Sequence, residues 1–477
     1  MVNNSIQDNR LLEIIDLTLP EKFFVLVSFK AISNNLLRVK IGDKVLRGQI
    51  LALGNYYLSP IHSPSSGIVV DIVHNYLFFS DTFFSAVIIL SDGKDQWVSR
   101  IPIMHDYKKF SSSQLIELIY NFGIVGLSGS GFMSSKKLKY AIGKVHTLVV
   151  NAVESEPWVT SDDCLIQNFS EEIIQGCKIL TWILKIKKVL IVLSKGKLIS
   201  FNILKKKVFY YSHFKLLTVK NKYPAGSSKQ LIKTLFGKEI PEGKHSIDLG
   251  IIMYNVSTVR AIKRAVLNGE PLTERIITLS GNGLSISKNI LVRIGTPIKH
   301  ILAYFCMNSN QLEIRIGGPM TGIILKNLNF SILKVNNCIL FSSVLKNKFN
   351  YLKEQNCIRC KACSNVCPMG LLPEELYWYS RYLNHDKSKK YKILDCIECG
   401  LCEQVCPSHI PLMSYYRREK KQIFITNLNK TKAKIFKDLF LIRQDRLNRE
   451  KINNDNVIFS QYISCKKFKL KIKNIKN

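Results

Sequence analysis

The chain has 477 residues, 46% of them hydrophobic and 10% aromatic, which fits about three globular domains and excludes a disordered protein. Its 69 Lys and Arg against 35 Asp and Glu give a net charge of +34. Lysine arrives with Ile and Asn in every segment, so the charge reads as compositional drift; without a basic stripe interleaved with aromatics, it argues against nucleic acid and leaves an anionic membrane face as a secondary reading.

The N-terminal residues lack the basic, apolar and small-residue succession of a signal peptide. No spanning segment is expected either, because the best apolar run, from Ile179 to Leu193, is broken by Lys185, Lys187 and Lys188. Residues 1–25 read as a leader. Residues 26–105 then read as short strands with turns, with Gly42-Asp43, Gly48 and Gly67 as punctuation. GDKVLRGQ and SPSSGIV resemble pieces of the barrel-sandwich fold of biotinyl and lipoyl carriers. The intervening NYYLSPIH offers no lysine for a swinging cofactor, so a docking or structural role is expected.

From Ser111 the texture changes to alternating helix and strand. Ser113 is a candidate cap for a helix through Phe122, and a glycine-rich loop follows with Gly126, Gly129 and Gly131. Such glycines let backbone amides approach a phosphate or a flat ring, although loops of this kind also serve as plain turns. Lys137 follows as a phosphate neutraliser or part of a solvated face. The segments 147–151 and 187–194 read as buried strands of a parallel sheet. Ligands bind beyond the carboxyl ends of such strands, where Asn151 and Glu154 fall. Glu154 and Glu156 alternate on extended backbone, which sets them facing opposite ways. Residues 272–330 form a compact α+β module with strands at 291–294 and 312–316, a helix at 298–305 and no titratable cluster.

The strongest signal lies at 345–420. Two runs of CxxCxxCxxxCP hold Cys357, Cys360, Cys363 and Cys367, then Cys396, Cys399, Cys402 and Cys406. This is the spacing of two-cluster ferredoxins, in which three cysteines of one run hold a [4Fe–4S] cluster and the fourth crosses to its partner. The expected sets are Cys357, Cys360, Cys363 and Cys406 on one centre and Cys396, Cys399, Cys402 and Cys367 on the other. Structural zinc usually pairs two short Cys hooks across a longer loop and matches this spacing less well. Cys164, Cys177, Cys306, Cys338 and Cys465 read as isolated reduced thiols. Between the runs a helix is expected over 371–384, with Tyr377, Trp378 and Tyr379 as cluster shields or core, and His385 and His409 without metal duty. The tail from 421 to 477 is basic, with a helix expected through Leu447 and a frayed end.

Taken together, these segments resemble the RnfC family, a component of the Rnf complex, the membrane-bound assembly that couples electron transfer to ion translocation. GIVGLSGSGF resembles that family's GIVGLGGAGF, shared in outline with the flavin-binding subunit of respiratory complex I. NAVESEP resembles NAAECEP, YPAGSSKQL resembles YPQGGEKQL, YNVSTVRAI resembles the NVGT segment, and IGGPMTG resembles GGPMMG. The resemblance implies a multidomain α/β plus α+β chain: an N-terminal barrel-sandwich β unit (26–105), a parallel α/β FMN/NADH-type domain (111–271), a soluble-ligand-binding β-grasp module (272–330), and a helical ferredoxin-type domain with two [4Fe–4S] clusters (345–420). It implies that Gly126, Gly129, Gly131 and Lys137 approach FMN, with Asn151, Glu154, Asn255 and Thr258 completing the site. Ser128 and Ser130 stand where the family has Gly and Ala, Met133 where it has Pro, and Ser228 where it has Glu.

The resemblance also implies a peripheral electron-transfer subunit on the cytoplasmic face of a bacterial inner membrane. It would work with other subunits of an Rnf-type complex and with NADH or ferredoxin. Two alternatives stay open: a cluster-only relay or docking subunit with a decayed nucleotide site, and a soluble flavin and iron–sulfur diaphorase subunit.

Overall fold

The computed structural model describes residues 11–28, 36–55, 58–79, 82–100, 102, 106–325, 327–343 and 353–473. Residues 1–10 of the expected leader, parts of the β unit (29–35, 56–57, 80–81, 101 and 103–105) and residues 344–352 ahead of the cysteines lie outside the described residues, as does the side chain of Cys465. The chain divides into two compact units, Met1–Asn356 with Ile397–His409, and Cys357–Cys396 with Ile410–Asn477.

In the first unit, β1 (Ile14–Asp16) precedes β2 (Lys22–Ser28), β3 (Lys44–Val45), β4 (Ile50–Ala52), β5 (Ile61–His62), β6 (Gly67–Phe79) and β7 (Thr82–Ser91). A four-stranded antiparallel sheet in the order β2-β7-β6-β3 faces the β4-β5 pair. Phe23, Val25, Leu51, Val69, Val87 and Ile89 alternate inward to make its core. This module starts at Lys22, four residues before the expected boundary.

The α/β module runs α1 (Ser112–Asn121), α2 (Ser134–Ala141), β8 (Thr147–Ala152), α3 (Ser161–Leu184), β9 (Lys188–Ser194), α4 (Leu198–Val208), β10 (Phe214–Val219), α5 (Ser228–Phe236), β11 (Ile251–Asn255) and α6 (Val256–Asn268). Its four strands are all parallel, in the order β10-β9-β8-β11. Both sheet faces are covered: Leu148, Val150, Ile191 and Ile252 enter one core, and Val149, Leu190, Val192 and Met253 enter another. The cap of α1 is Ser111, not Ser113, because Ser111 and Gln114 form a reciprocal capping box.

The third module contains β12 (Glu274–Ser280), β13 (Lys288–Arg293), α7 (Ile298–Tyr304), β14 (Leu312–Ile316), β15 (Ile323–Ile324) and β16 (Cys338–Ser343). They form one mixed sheet in the order β1-β13-β12-β16-β14-β15, so the "leader" supplies an edge strand and the module extends past 330. Ile277, Ile290, Ile298, Ile301, Phe330 and Phe341 form its core.

The second unit contains α8 (Ala362–Asn365), α9 (Pro373–Arg381), α10 (His385–Lys390) and α12 (Leu412–Lys473), while α11 (Leu401–Gln404) belongs to the first. The helix expected over 371–384 is shorter, because Leu383 adopts a left-handed φ of 53° and Asn384 caps α10 by accepting from Lys387 N. Helix α12 runs on to Lys473 instead of stopping near Leu447, since no Gly or Pro follows Pro411 to end it. Among the described residues, no helix is long and apolar enough to cross a membrane.

Candidate flavin site and cluster cysteines

The strand order fixes where a ligand belongs. From β8 the chain winds outward through β9 and β10, then returns to place β11 on the other side of β8. Helices that leave neighbouring strands toward opposite faces open a crevice at their carboxyl ends, the topological switch point. Asn151 and Asn255 are register partners at that end of β8 and β11.

Both asparagines are hydrogen-bonded within the protein. Asn151 Nδ2 donates to Gly226 O at 2.9 Å, and its Oδ1 accepts from Val153 N. Asn255 caps α6 by accepting from Ser257 N, and its Nδ2 donates to Asp162 Oδ2 at 2.6 Å. Thr258 Oγ1 accepts from Leu127 N at 3.0 Å, which ties the glycine-rich loop to the first turn of α6.

Glu154 Oε1 accepts from the backbone amides of Asp162 and Asp163 at 3.0 and 3.1 Å, holding the N-terminus of α3. Its Oε2 is buried without a partner. Burial and neighbouring Asp162 hold the Glu154 carboxyl well above the usual range, and burial raises Asp162 to about 6. Glu156 goes elsewhere: its carboxylate accepts from Met320 N at 2.9 Å and from Thr321 Oγ1, with Gly318 allowing the close approach. Two motif segments far apart in sequence are thereby joined.

In the loop itself, Gly126 N donates to Phe132 O, and Gly131 N donates to Gly126 O. Gly129 has φ +99° and open space where a Cβ would stand. A Cβ on Gly126 would collide with Ser130 Oγ, one of the residues that depart from the family pattern. Lys137 is half-buried with its ammonium 4.6 Å from the Tyr254 ring and donating to Met253 O; burial lowers it to about 8. An open loop, a half-buried ammonium and an unpartnered carboxyl oxygen near a switch point are a polar set that fits a phosphorylated flavin.

Sequence reasoning missed the groups that brace this loop. Arg275 Nη2 donates to Leu127 O at 3.2 Å, and Lys334 Nζ donates to Gly123 O at 2.8 Å and Pro60 O at 3.0 Å. Burial brings Lys334 down to about 7 and Arg275 to about 10. Single basic residues in a lysine-rich chain carry no signal that separates these inward-turned cations from solvated ones. A surface cleft of about 560 Å³, lined by Arg100, Gln175, Lys263 and Glu270 among others, contains none of the expected flavin residues.

Cys399, Cys402 and Cys406 of the second cysteine run share a unit with this module, while Cys396 belongs to the other. Tyr223 Oη donates to Cys399 O at 2.7 Å, and Gly400 lies so close to Met320 that a Cβ would stand 2.6 Å from its carbonyl oxygen. In the other unit, Glu374 Oε2 lies 3.5 Å from Cys363 Sγ and accepts from Ser364 Oγ. Leu371 N donates to Cys367 Sγ, and Lys420 Nζ donates to Cys396 O at 2.6 Å. His385 Nδ1 pairs with Glu419 at 2.8 Å, and Tyr377 is buried against Trp378 and Tyr415. Cys164, Cys177 and Cys338 are buried free thiols, and Cys306 is an exposed one. Among the described residues no three His, Cys, Asp or Glu side chains converge on a single ion.

Three family models match this chain: the RnfC barrel sandwich hybrid domain over residues 6–94, the Nuo51 FMN-binding domain over 119–264, and a 4Fe-4S dicluster domain over 349–410. The C subunit of the ion-translocating oxidoreductase complex from Buchnera aphidicola subsp. Baizongia pistaciae is 61% identical over 462 residues, covering 97% of this chain and 91% of that protein. Its counterpart from Buchnera aphidicola subsp. Acyrthosiphon pisum is 45% identical over 455 residues, covering 93% and 94%. The Erwinia tasmaniensis protein of the same name is 43% identical over 416 residues, 87% of this chain and 51% of the longer relative. This chain belongs to the RnfC family of ion-translocating oxidoreductase complex subunits.

Proposed function

We propose that this chain is the electron-entry subunit of an Rnf-type complex, taking electrons from NADH or ferredoxin on the cytoplasmic face of the membrane and passing them to partner subunits. It is an electron-transfer subunit of an ion-translocating oxidoreductase complex, with an FMN-binding-type domain and a [4Fe–4S] dicluster domain. The observation that carries the finer reading is the shared frame of the crevice and Cys399, Cys402 and Cys406. NAVESEP borders the switch point through Glu154 and reaches the 318–321 turn through Glu156, while Met320 of that turn packs on Gly400 between the cysteines. Flavin, when bound, exchanges a two-electron hydride for single electrons, and iron–sulfur clusters carry those one at a time.

This chain's residues bind and position. Gly126, Gly129 and Gly131 shape the loop, Lys137 offers the anion partner, and Asn151, Glu154, Asn255 and Thr258 line the crevice. Cys357, Cys360, Cys363 and Cys406 are the proposed ligands of one cluster, and Cys396, Cys399, Cys402 and Cys367 of the other. We read the mixed-sheet module as the β-grasp domain of this family. C399S tests the cluster assignment: iron should fall from about eight to about four per chain, and a variant retaining all its iron would refute it.

A second reading, a relay that holds clusters without flavin, is favoured by one observation. Asn151, Asn255 and Thr258 are all engaged by protein partners. Flavin analysis of the purified protein separates the two.

A further inference from the structure

Helix α12 changes character at Ile423. Before it, Leu412, Met413, Tyr416, Glu419 and Ile423 are buried at helical spacing, and Tyr416 Oη donates to Pro373 O at 2.6 Å. Beyond it the described residues other than half-buried Thr426 stand in solvent, including large apolar ones. Phe424, Ile435, Phe436, Leu439, Phe440 and Ile442 are each between 52% and 69% exposed.

These positions are not scattered. At 3.6 residues per turn all six fall within an arc of about 160°, together with Ile425 and Leu428, while Lys430, Lys434 and Lys437 lie opposite. Lys432 is the one charged residue of 424–442 inside the arc, and its stem can snorkel outward. Leu441 is the one large apolar residue outside it. Past Ile442 the face ends, since Arg443 and Arg446 rotate into it.

We propose that the face from Phe424 to Ile442 lies in the plane of an anionic lipid bilayer. Residues 421–447 carry seven Lys or Arg against two Asp, so a second copy of this helix would be repelled. The arc is also wider than the two-position seam of a paired coiled coil. A phenylalanine-rich apolar arc backed by lysines is the composition of a helix that rests in the lipid interface, where acidic headgroups complement its charge. Such a contact lies in the membrane plane and needs no spanning helix.

The test uses the full chain with its clusters reconstituted, sedimented with phosphatidylcholine vesicles with and without about 30% phosphatidylglycerol. The anionic vesicles should bind it at least about tenfold more tightly, and high salt should weaken that binding. F436E/F440E should abolish partition with iron content unchanged, and K430Q/K434Q/K437Q should weaken it and flatten the salt dependence. F436W, which preserves the face, should shift its emission to the blue on anionic vesicles. Wild-type protein left in the supernatant, F436E/F440E sedimenting like wild type, or F436W unmoved would each overturn the proposal. Capture by detergent-solubilised partner subunits without any affinity for vesicles would overturn it in favour of a protein groove.

Discussion

The phenol of Tyr223 donates a 2.7 Å hydrogen bond to the backbone carbonyl of Cys399, joining the YPAGSS segment of the α/β module to the middle of the second cysteine run. Burial, with Glu156 nearby, holds that phenol well above its ordinary pKa, so it remains a donor at every physiological pH. Y223F removes the bond and keeps the ring. We expect a loss of about 1 kcal/mol locally, which opens the loop roughly fivefold more often. Iron release to a chelator under anaerobic conditions should quicken by that factor, with unchanged initial iron content.

Glu156 is a buried carboxylate with donors from Met320 N and Thr321 Oγ1. E156A strands both donors and leaves a cavity beside Gly318. The expected cost is about 2–4 kcal/mol in chemical denaturation, with E156Q costing less because one oxygen still accepts.

The crevice acids make stability depend on pH in an unusual direction. Burial raises Asp162 from 3.8 to about 6, and burial with Asp162 nearby raises Glu154 as well. A carboxyl whose folded pKa is raised holds its proton longer in the native state, so stability falls as pH rises from about 4 to about 6, by up to roughly 3 kcal/mol for Asp162. E154Q keeps an acceptor for the amides of Asp162 and Asp163 and replaces the unpartnered oxygen. Its thermal melting should be higher at pH 8 than that of the parent chain, with a shallower slope across this window.

At Lys137, stability and the proposed flavin contact should respond in opposite directions. Burial lowers its ammonium from 10.5 to about 8, so the native state gains stability as pH rises through that interval and bears the cost at neutral pH. K137M should therefore melt higher at pH 7, by up to about 3 kcal/mol, while retaining flavin at least tenfold less well. Equal flavin retention would remove Lys137 from the site.

Features legible in the sequence obeyed local rules. Cysteine spacing, the buried runs of β8 and β9 and the glycine-rich loop each carry their signal within a dozen residues. Long-range pairings carried none. Three residues of β1 join β13 from more than 270 positions away, and no periodicity can show in so short a strand. The module junction was equally silent: Arg47 pairs with Asp95 and Glu274, Arg293 joins both acids, and Trp97 stacks on Arg47 at 4.0 Å. In a chain with 69 basic residues, nothing local marks which of them fold inward. The same holds for Lys334 and Arg275, although they brace the loop that the motif revealed.

Whether electrons enter through a flavin and leave through two clusters is decided by anaerobic reconstitution with iron, sulfide and FMN, followed by NADH reduction watched by electron paramagnetic resonance. About eight irons and one flavin per chain are expected, with NADH bleaching the flavin and raising signals from two reduced [4Fe–4S] clusters. Two clusters that form without flavin, and that NADH leaves silent, would contradict this electron path.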